Sequence, residues 1–397
     1  MKKKIALSPK VSRRVAALKP SGLEPFFDIL AERSDIVSLG IGEPDFTTPK
    51  IIRQTGIRSL EEGRTSYTSN AGLRDLRIAL SKHLERLYGV HYDPDTEIIL
   101  TVGVSEALYL ALEAILNPGD EILVPTPCFV SYQGQVELAD AVPVEVPMRA
   151  EDNFHPDIAT LEKHLSPRTK AILINYPHNP TGMAGDRERL EAVLRFAEEH
   201  DLLVISDEIY DRLVYGVEHV CFPALPGAWE RTILLGGFSK DYAMTGWRLG
   251  FAAAPAPILQ ALLRIHQYLI MAAPTTAQIA AVTALTEPES EKAVEEMRQA
   301  YERRRKLIVE GLRSIGLPTV EPKGAFYAFP DIRSTGLDDE TFAWRLLEEE
   351  SVAVVPGSAF GPGGEGFVRC SYATSEENIA EALRRIERFV KKVRASG

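Results

Sequence analysis

Residues 97–127 read EIILTVGVSEALYLALEAILNPGDEILVPTP, and the fold is decided by this stretch. EIILTVG is a short run of mostly apolar residues closed by glycine, the pattern of a strand buried on both faces. Residues 105–116, SEALYLALEAIL, repeat their apolar positions at helical spacing; Asn117-Pro118-Gly119-Asp120 then marks a turn, and EILVPTP (121–127) begins a second buried strand. Strand, helix and strand within about 30 residues make a βαβ unit, whose strands run parallel because the helix crosses over between them.

The alternation continues on the C-terminal side. FVSYQGQVELAD (129–140) predicts a helix and VPVEVPM (142–148) a strand, followed by a helix over 158–164 and the apolar strand TKAILIN (169–175). A helix over 187–200 precedes DLLVISD (201–207), and RTILLGG (231–237) and RLGFAAA (248–254) complete the strands. Strands apolar on both faces, alternating with helices, predict an α/β fold with a mostly parallel sheet between helical layers. The remainder predicts an α+β unit. It has helices over 258–270, 276–285 and 289–315, a strand pair in PTVEPKGAFYAFPDI, a helix over 339–350, strands VAVVPG and GFVRCSYA, and a final helix over 376–396. Before the sheet come a helix in LEPFFDILAER (23–33), a short strand breaking into a Gly/Pro turn in IVSLGIGEPDF (36–46), and two helices between 49 and 88. With Pro288 as the boundary, a large domain over 49–287 and a smaller one from 1–48 plus 288–397 are expected.

Composition narrows the function. A net charge of −11 disfavours nucleic acid and anionic membrane as partners, which need a basic surface. No apolar run approaches the ~20 residues of a spanning helix, and the opening MKKKIALSPKVSRR lacks the apolar core of a secretory signal. Cys128, Cys221 and Cys370 are odd in number and show no CxxC spacing, and no two histidines sit at metal-ligand spacing on a helix. A cytoplasmic protein without disulfides or a bound metal is expected.

In sheets of this kind ligands bind beyond the carboxyl ends of the strands. After RTILLGG comes Lys240, flanked by small and apolar residues that would desolvate an amine and lower its pKa, as in nucleophilic lysines. Arg248 follows a short turn later and is placed to hold an anion. Together they suggest an aldehyde cofactor carrying a phosphate. After the strand 97–103, Gly103, Val104 and Ser105 open a helix, a ready anion site. Asn179 lies in NYPHNPTG after the strand 169–175, and Asp207 and Tyr210 lie in SDEIYD after the next one. Singly, each has a plainer reading: Ser105 and Asp207 as helix caps, Asn179 as turn chemistry, Phe129 as core, Tyr67 as an exposed loop residue, Gly40 and Gly42 as a simple turn. A carboxylate, an amide, a phenol, an amine and a guanidinium at one sheet edge are hard to explain as packing. By contrast, residues 361–366 satisfy GxGxxG but precede a strand, so they read as a loop.

LGIGEPDF, GVSEA, NPTG, SDEIY, FSKDYAMTGWRLGF, KGAFYAF, VVPGSAF and VRCSYA, in this order, resemble the class I/II aminotransferases, pyridoxal-phosphate enzymes of fold type I, and among them the archaeal-type aromatic and aspartate enzymes. The resemblance implies a mostly parallel seven-stranded sheet sandwiched by helices, with a smaller α+β domain. It makes Lys240 the lysine that carries the cofactor and shuttles the substrate proton. Asp207 would pair with the ring nitrogen, Asn179 and Tyr210 with the phenolic oxygen, and Phe129 would stack on the ring. Gly103, Val104, Ser105, Ser239 and Arg248 would hold the phosphate, with Tyr67 reaching it from a neighbouring subunit in a homodimer with composite sites. Arg369 would clamp the substrate α-carboxylate, assisted by Gly42 and Asn179. Gly237 stands where relatives often have serine, removing one phosphate contact, and Ser105 stands where some bacterial aspartate enzymes have a lysine. The implied reaction is amino transfer from an L-amino acid, aromatic or broad in preference, to 2-oxoglutarate by a ping-pong route, with amino acids and 2-oxo acids as partners. Aspartate aminotransfer and a C–S β-lyase reaction remain as alternatives. A non-enzymatic effector-sensing domain is a further alternative, disfavoured by the acidic charge and by the lack of a winged-helix segment before Val15.

Overall fold

The computed structural model describes residues 11–18 and 35–396; the helix expected in LEPFFDILAER lies outside them. Twelve strands follow in chain order among the described residues: β1 (Val37–Ser38), β2 (Ile98–Thr101), β3 (Glu121–Thr126), β4 (Val142–Pro147), β5 (Thr169–Asn175), β6 (Leu203–Asp207), β7 (Thr232–Gly237), β8 (Gly250–Ala253), β9 (Tyr327–Ala328), β10 (Val352–Ala353), β11 (Val355–Pro356) and β12 (Val368–Ser371). Seven of them form one sheet in the order β2-β8-β7-β6-β5-β3-β4. Only β8 runs antiparallel to its neighbours, and the other pairings are parallel.

Alternation along each strand sends side chains to opposite faces. Ile122, Val124, Ala171, Leu173, Ile205, Ile233 and Leu235 join one buried cluster with residues of the helices Gly103–Ile115 and Ala256–Leu269. Leu123, Ile172, Ile174 and Val204 join another with the helices Ile158–His164 and Arg187–Glu199. Both faces are dry, and each fully buried Leu or Ile contributes roughly 1.5–3 kcal/mol of transfer free energy. The sandwich predicted from the sequence is present.

The remaining strands are short. β11-β12-β9 form an antiparallel sheet, and β1 pairs with β10 in parallel, Val37 opposite Val352. The strand expected over VAVVPG is therefore two pieces that serve two sheets. The strand pair expected in PTVEPKGAFYAFPDI reduces to β9 and a bridge between Thr319 and Pro330. Pro318, Pro322 and Pro330 lack the N–H that a ladder requires. Pro288 opens the helix Pro288–Ser314, whose buried Val294, Met297, Tyr301, Ile308 and Leu312 hold it to the core. No described helix is long and apolar enough to cross a membrane.

Strand register aligns the site. Thr101 and Gly237 both lie opposite Gly250, while Leu235, Asp207 and Asn175 form a second row. The residues that follow these strands therefore emerge along one edge. Because β8 is antiparallel, it begins at that edge, and Arg248 sits just before it.

Candidate active site

A cavity of about 450 Å³ opens at this edge. Gly42, Val104, Ser105, Phe129, Asn179, Asp207, Tyr210, Ser239, Lys240, Arg248 and Arg369 line it. Gly103 lies just behind the lining. Tyr67 does not line the cavity; its side chain is 79% exposed.

Lys240 follows β7 at the floor. Its Nζ donates to the Gly42 carbonyl at 2.7 Å and lies 5.9 and 5.8 Å from the ring centroids of Tyr210 and Phe326. Burial among these groups lowers its pKa to about 8, opposed by the carboxylate of Glu43. The amine thus has a substantial neutral fraction near physiological pH, as a nucleophile needs.

Asp207 ends β6 and is buried. Its Oδ2 accepts from the Tyr132 hydroxyl at 2.7 Å and its Oδ1 from the Ile209 amide at 3.2 Å. Burial pushes its pKa up to about 6, restrained by those two bonds. Asn175, at the end of β5, donates to the Asp207 carbonyl at 2.8 Å and accepts from the Asn179 amide at 3.0 Å, tying the two strand exits together.

The opening of the helix Gly103–Ile115 faces the cavity through Val104 and Ser105. No side chain caps it, so its first N–H groups remain available. Gly103 has a φ of 73°, a conformation that favours glycine, and a Cβ there would meet Arg248 Nη2 at 2.7 Å. Arg248 donates to the Thr245 carbonyl at 3.0 Å, and among the described residues no carboxylate pairs with it. The amides of Val104 and Ser105, the Arg248 guanidinium and the Ser239 hydroxyl all belong to residues that line the cavity.

Arg369 on β12 is buried and lines the same cavity. Nη1 donates to Asn179 Oδ1 at 2.9 Å, Nη2 to the Gly40 carbonyl at 2.7 Å, and the buried Nε finds no partner. Its guanidinium carbon lies 4.6 Å from the Tyr327 ring centroid and 4.9 Å from that of Phe360. Burial lowers its pKa. A cation held only by neutral acceptors and aromatic faces is prepared for an anion from outside.

Tyr210 and Tyr327 share a hydrogen bond of 2.8 Å between hydroxyls, and burial, followed by Tyr327, holds the Tyr210 phenol well above its ordinary pKa. It stays protonated and able to donate. Gly42 is not at positive φ; its role is close approach, since a Cβ there would meet the Tyr327 hydroxyl at 2.6 Å.

The sequence reading gave no role to Tyr132, Asn175 or Tyr327. Asn175 stands at a strand exit and was visible by that criterion. Tyr327 lay within a quoted motif. Tyr132 carried no signal, because its bond to Asp207 joins residues on separate elements. Glu162, Glu199 and His200 form the one grouping of metal-type ligands found among the described residues; it is exposed and does not line the cavity.

The family Aminotransferase class I and II matches residues 34–386. The chain is 47% identical over 382 residues to the aspartate aminotransferase of Pyrococcus abyssi, covering 96% of this chain and 98% of that protein. It is 45% identical over 382 residues to aromatic-amino-acid aminotransferase 2 of Thermococcus litoralis, with the same 96% and 98% coverage. A solved structure of the aromatic aminotransferase from Pyrococcus horikoshii superposes with a TM-score of 0.89 at 48% identity, covering 92% of this chain and 98% of that one.

Proposed function

The chain belongs to the class I and II aminotransferases, and from that premise we propose that it moves an amino group from an L-amino acid of aromatic or broad type to 2-oxoglutarate, using pyridoxal phosphate. The observation that carries this reading is Arg369. A buried guanidinium without a carboxylate partner faces the same cavity as the amine of Lys240. An α-amino acid offers a carboxylate to the guanidinium and an α-carbon to the amine.

The residues present fit the cofactor. The cradle formed by Gly103, Val104, Ser105, Ser239 and Arg248 suits a phosphate dianion, and a Cβ at Gly103 would fill it. Asp207, held by Tyr132, would face the ring nitrogen and keep it protonated; Asn179 and Tyr210 would address the phenolic oxygen, and Phe129 the ring face. When bound, pyridoxal phosphate supplies an electron sink for negative charge developing at the substrate Cα. Lys240 contributes the amine that attaches the cofactor, and then accepts and returns the proton at Cα. Its lowered pKa makes it a base near neutral pH. Arg369, with Asn179 and Gly42, fixes the α-carboxylate and so aims the Cα proton at Lys240.

Among the described lining residues Arg369 is the one clamp of this kind, which supports a ping-pong cycle in which donor and acceptor occupy the cavity in turn. Its cationic lining residues are Lys240, Arg248 and Arg369, and each has a use already. No further cation among the described residues waits for an acidic side chain, whereas Phe129, Leu108, Ile209 and Tyr327 line the wall. This favours an aromatic or broad amino donor over a strict aspartate enzyme, and the distal carboxylate of 2-oxoglutarate likewise has no cationic partner of its own among these lining residues. Asn70 donates to the Met271 carbonyl at 2.8 Å, so the loop bearing exposed Tyr67 lies beside exposed Tyr268 and Met271. That surface supports a homodimer in which Tyr67 reaches the partner's phosphate site. A cytoplasmic setting and the division into 49–287 and 1–48 plus 288–397 belong to the same proposal. The test is a half-reaction screen of the twenty amino acids, followed by cofactor absorbance. Release of free ammonia and a thiol along with pyruvate, in place of an amino group retained and passed to an acceptor keto acid, would replace amino transfer with a β-lyase reaction.

A further inference from the structure

Tyr327 touches three parts of the site at once. Its hydroxyl meets that of Tyr210 at 2.8 Å, and its ring centroid lies 4.6 Å from the guanidinium carbon of Arg369. The same hydroxyl also occupies the space in which a Gly42 Cβ would sit. The residue is 1% exposed and pairs with Ser371 across β9 and β12, two positions from Arg369. Resting on the function proposed above, we propose that Tyr327 is a positioning residue with two separable duties. Its ring holds the Arg369 guanidinium flat for the substrate carboxylate, and its hydroxyl orients the hydroxyl of Tyr210 toward the cofactor.

The first duty follows from charge. An acidic partner would stabilise buried Arg369 but would compete with the substrate for its N–H groups. An aromatic face stabilises the cation from above and leaves the guanidinium edge open. The second follows from proton counting. Two phenols share one bond, which uses one of their two protons and leaves the other to point elsewhere. The Tyr210 ring is already fixed edge-on to Phe326 and Tyr327, at 5.5 and 5.9 Å, so only its hydroxyl remains free to turn. The bond to Tyr327 removes that freedom.

Tyr327→Phe drops the hydroxyl and keeps the ring; Tyr327→Leu drops both. Two readouts on the holoenzyme separate the duties: the pH midpoint of the cofactor's visible absorption without substrate, and the affinity for unreactive maleate and 3-phenylpropionate, followed by the same absorption. Tyr327→Phe should move the midpoint up by roughly half a pH unit. It should lower kcat by about tenfold, with carboxylate affinity and KM within about twofold of wild type. Tyr327→Leu should show the same midpoint shift and also bind the carboxylates about tenfold more weakly. Phe360→Leu, which removes the second ring over Arg369, should weaken the carboxylates alone and tests the ring duty if Tyr327→Leu fails to fold. An unmoved midpoint in Tyr327→Phe would overturn the hydroxyl duty. Carboxylate affinities in Tyr327→Leu, or in Phe360→Leu, equal to those of Tyr327→Phe would overturn the ring duty. A wild-type protein that neither takes up pyridoxal phosphate nor transaminates would instead sink the proposed function, a distinct result.

Discussion

Replacing Arg369 by alanine tests the carboxylate clamp, and the structure sets the size of the effect. The guanidinium carries five N–H groups. One on Nη1 goes to Asn179 and one on Nη2 to Gly40, which leaves three, including the unpartnered Nε–H, for a substrate. Two charge-assisted bonds to a carboxylate, at about 1.5–3 kcal/mol each, amount to about 3–6 kcal/mol, or about 10²- to 10⁴-fold in kcat/KM. Because the carboxylate is bound before and during proton transfer, most of the loss should appear in KM. Stability changes in two opposing directions. The mutation leaves Asn179 Oδ1 and the Gly40 carbonyl short of a donor, but it also removes a buried cation with no acidic partner. The melting temperature should therefore move little while activity collapses. Steady-state kinetics over a panel of aromatic, aliphatic and acidic amino acids provide the assay. Arg369→Lys, which keeps charge but loses the planar fork, should fall between the two. If Arg369→Ala kept kcat/KM within tenfold of wild type for every amino acid, the carboxylate would bind elsewhere and the proposed substrate orientation would be wrong.

Three further outcomes follow from the same geometry. Asp207 has a folded pKa of about 6, above the ordinary value of 3.8, so between those limits the fold binds more protons than the unfolded chain and its stability falls as pH rises. Cofactor-free Asp207→Asn should therefore melt above wild type at pH 7.5, with the gap closing near pH 4, while its kcat drops; equal melting temperatures across that range would contradict the burial cost. Lys240 has a folded pKa of about 8 against the usual 10.5, so the rate at which cofactor-free protein takes up pyridoxal phosphate should rise with pH to a midpoint near 8; a midpoint near 10.5 would show an amine in a water-like setting. Gly103→Ala would place a methyl at positive φ against Arg248 and should weaken cofactor affinity by roughly ten- to a hundredfold, measured by equilibrium dialysis. Unchanged affinity would move the phosphate away from this cradle.

How much of this was legible in the sequence differs by type of residue. The sheet was legible because βαβ strands are short, apolar on both faces and separated by helices of distinct period; TKAILIN was predicted at the bounds β5 has. Strand exits were legible for the same reason, and Gly103, Asn179, Asp207, Lys240 and Arg248 all emerge along one edge. Bonds across elements were not. Tyr132 meets Asp207, and Tyr327 meets Tyr210 and Arg369, only after helix and sheet have packed, and no local period encodes that meeting. The C-terminal strands were over-extended, because alternation in PTVEPKGAFYAFPDI registers apolar spacing and misses the N–H groups that proline removes. For Gly42 the local sequence indicates only a turn, and the close approach that requires glycine there shows only in its contact with Tyr327.

The proposed function stands on the Lys240 amine being the one that takes a phosphorylated aldehyde cofactor. Purified protein would be loaded with pyridoxal phosphate, reduced with borohydride, digested, and mapped by mass spectrometry. Stoichiometric pyridoxyl modification of Lys240 is expected, and none in Lys240→Ala protein that remains folded. Modification centred on another lysine, or a Lys240→Ala enzyme with normal turnover, would contradict it.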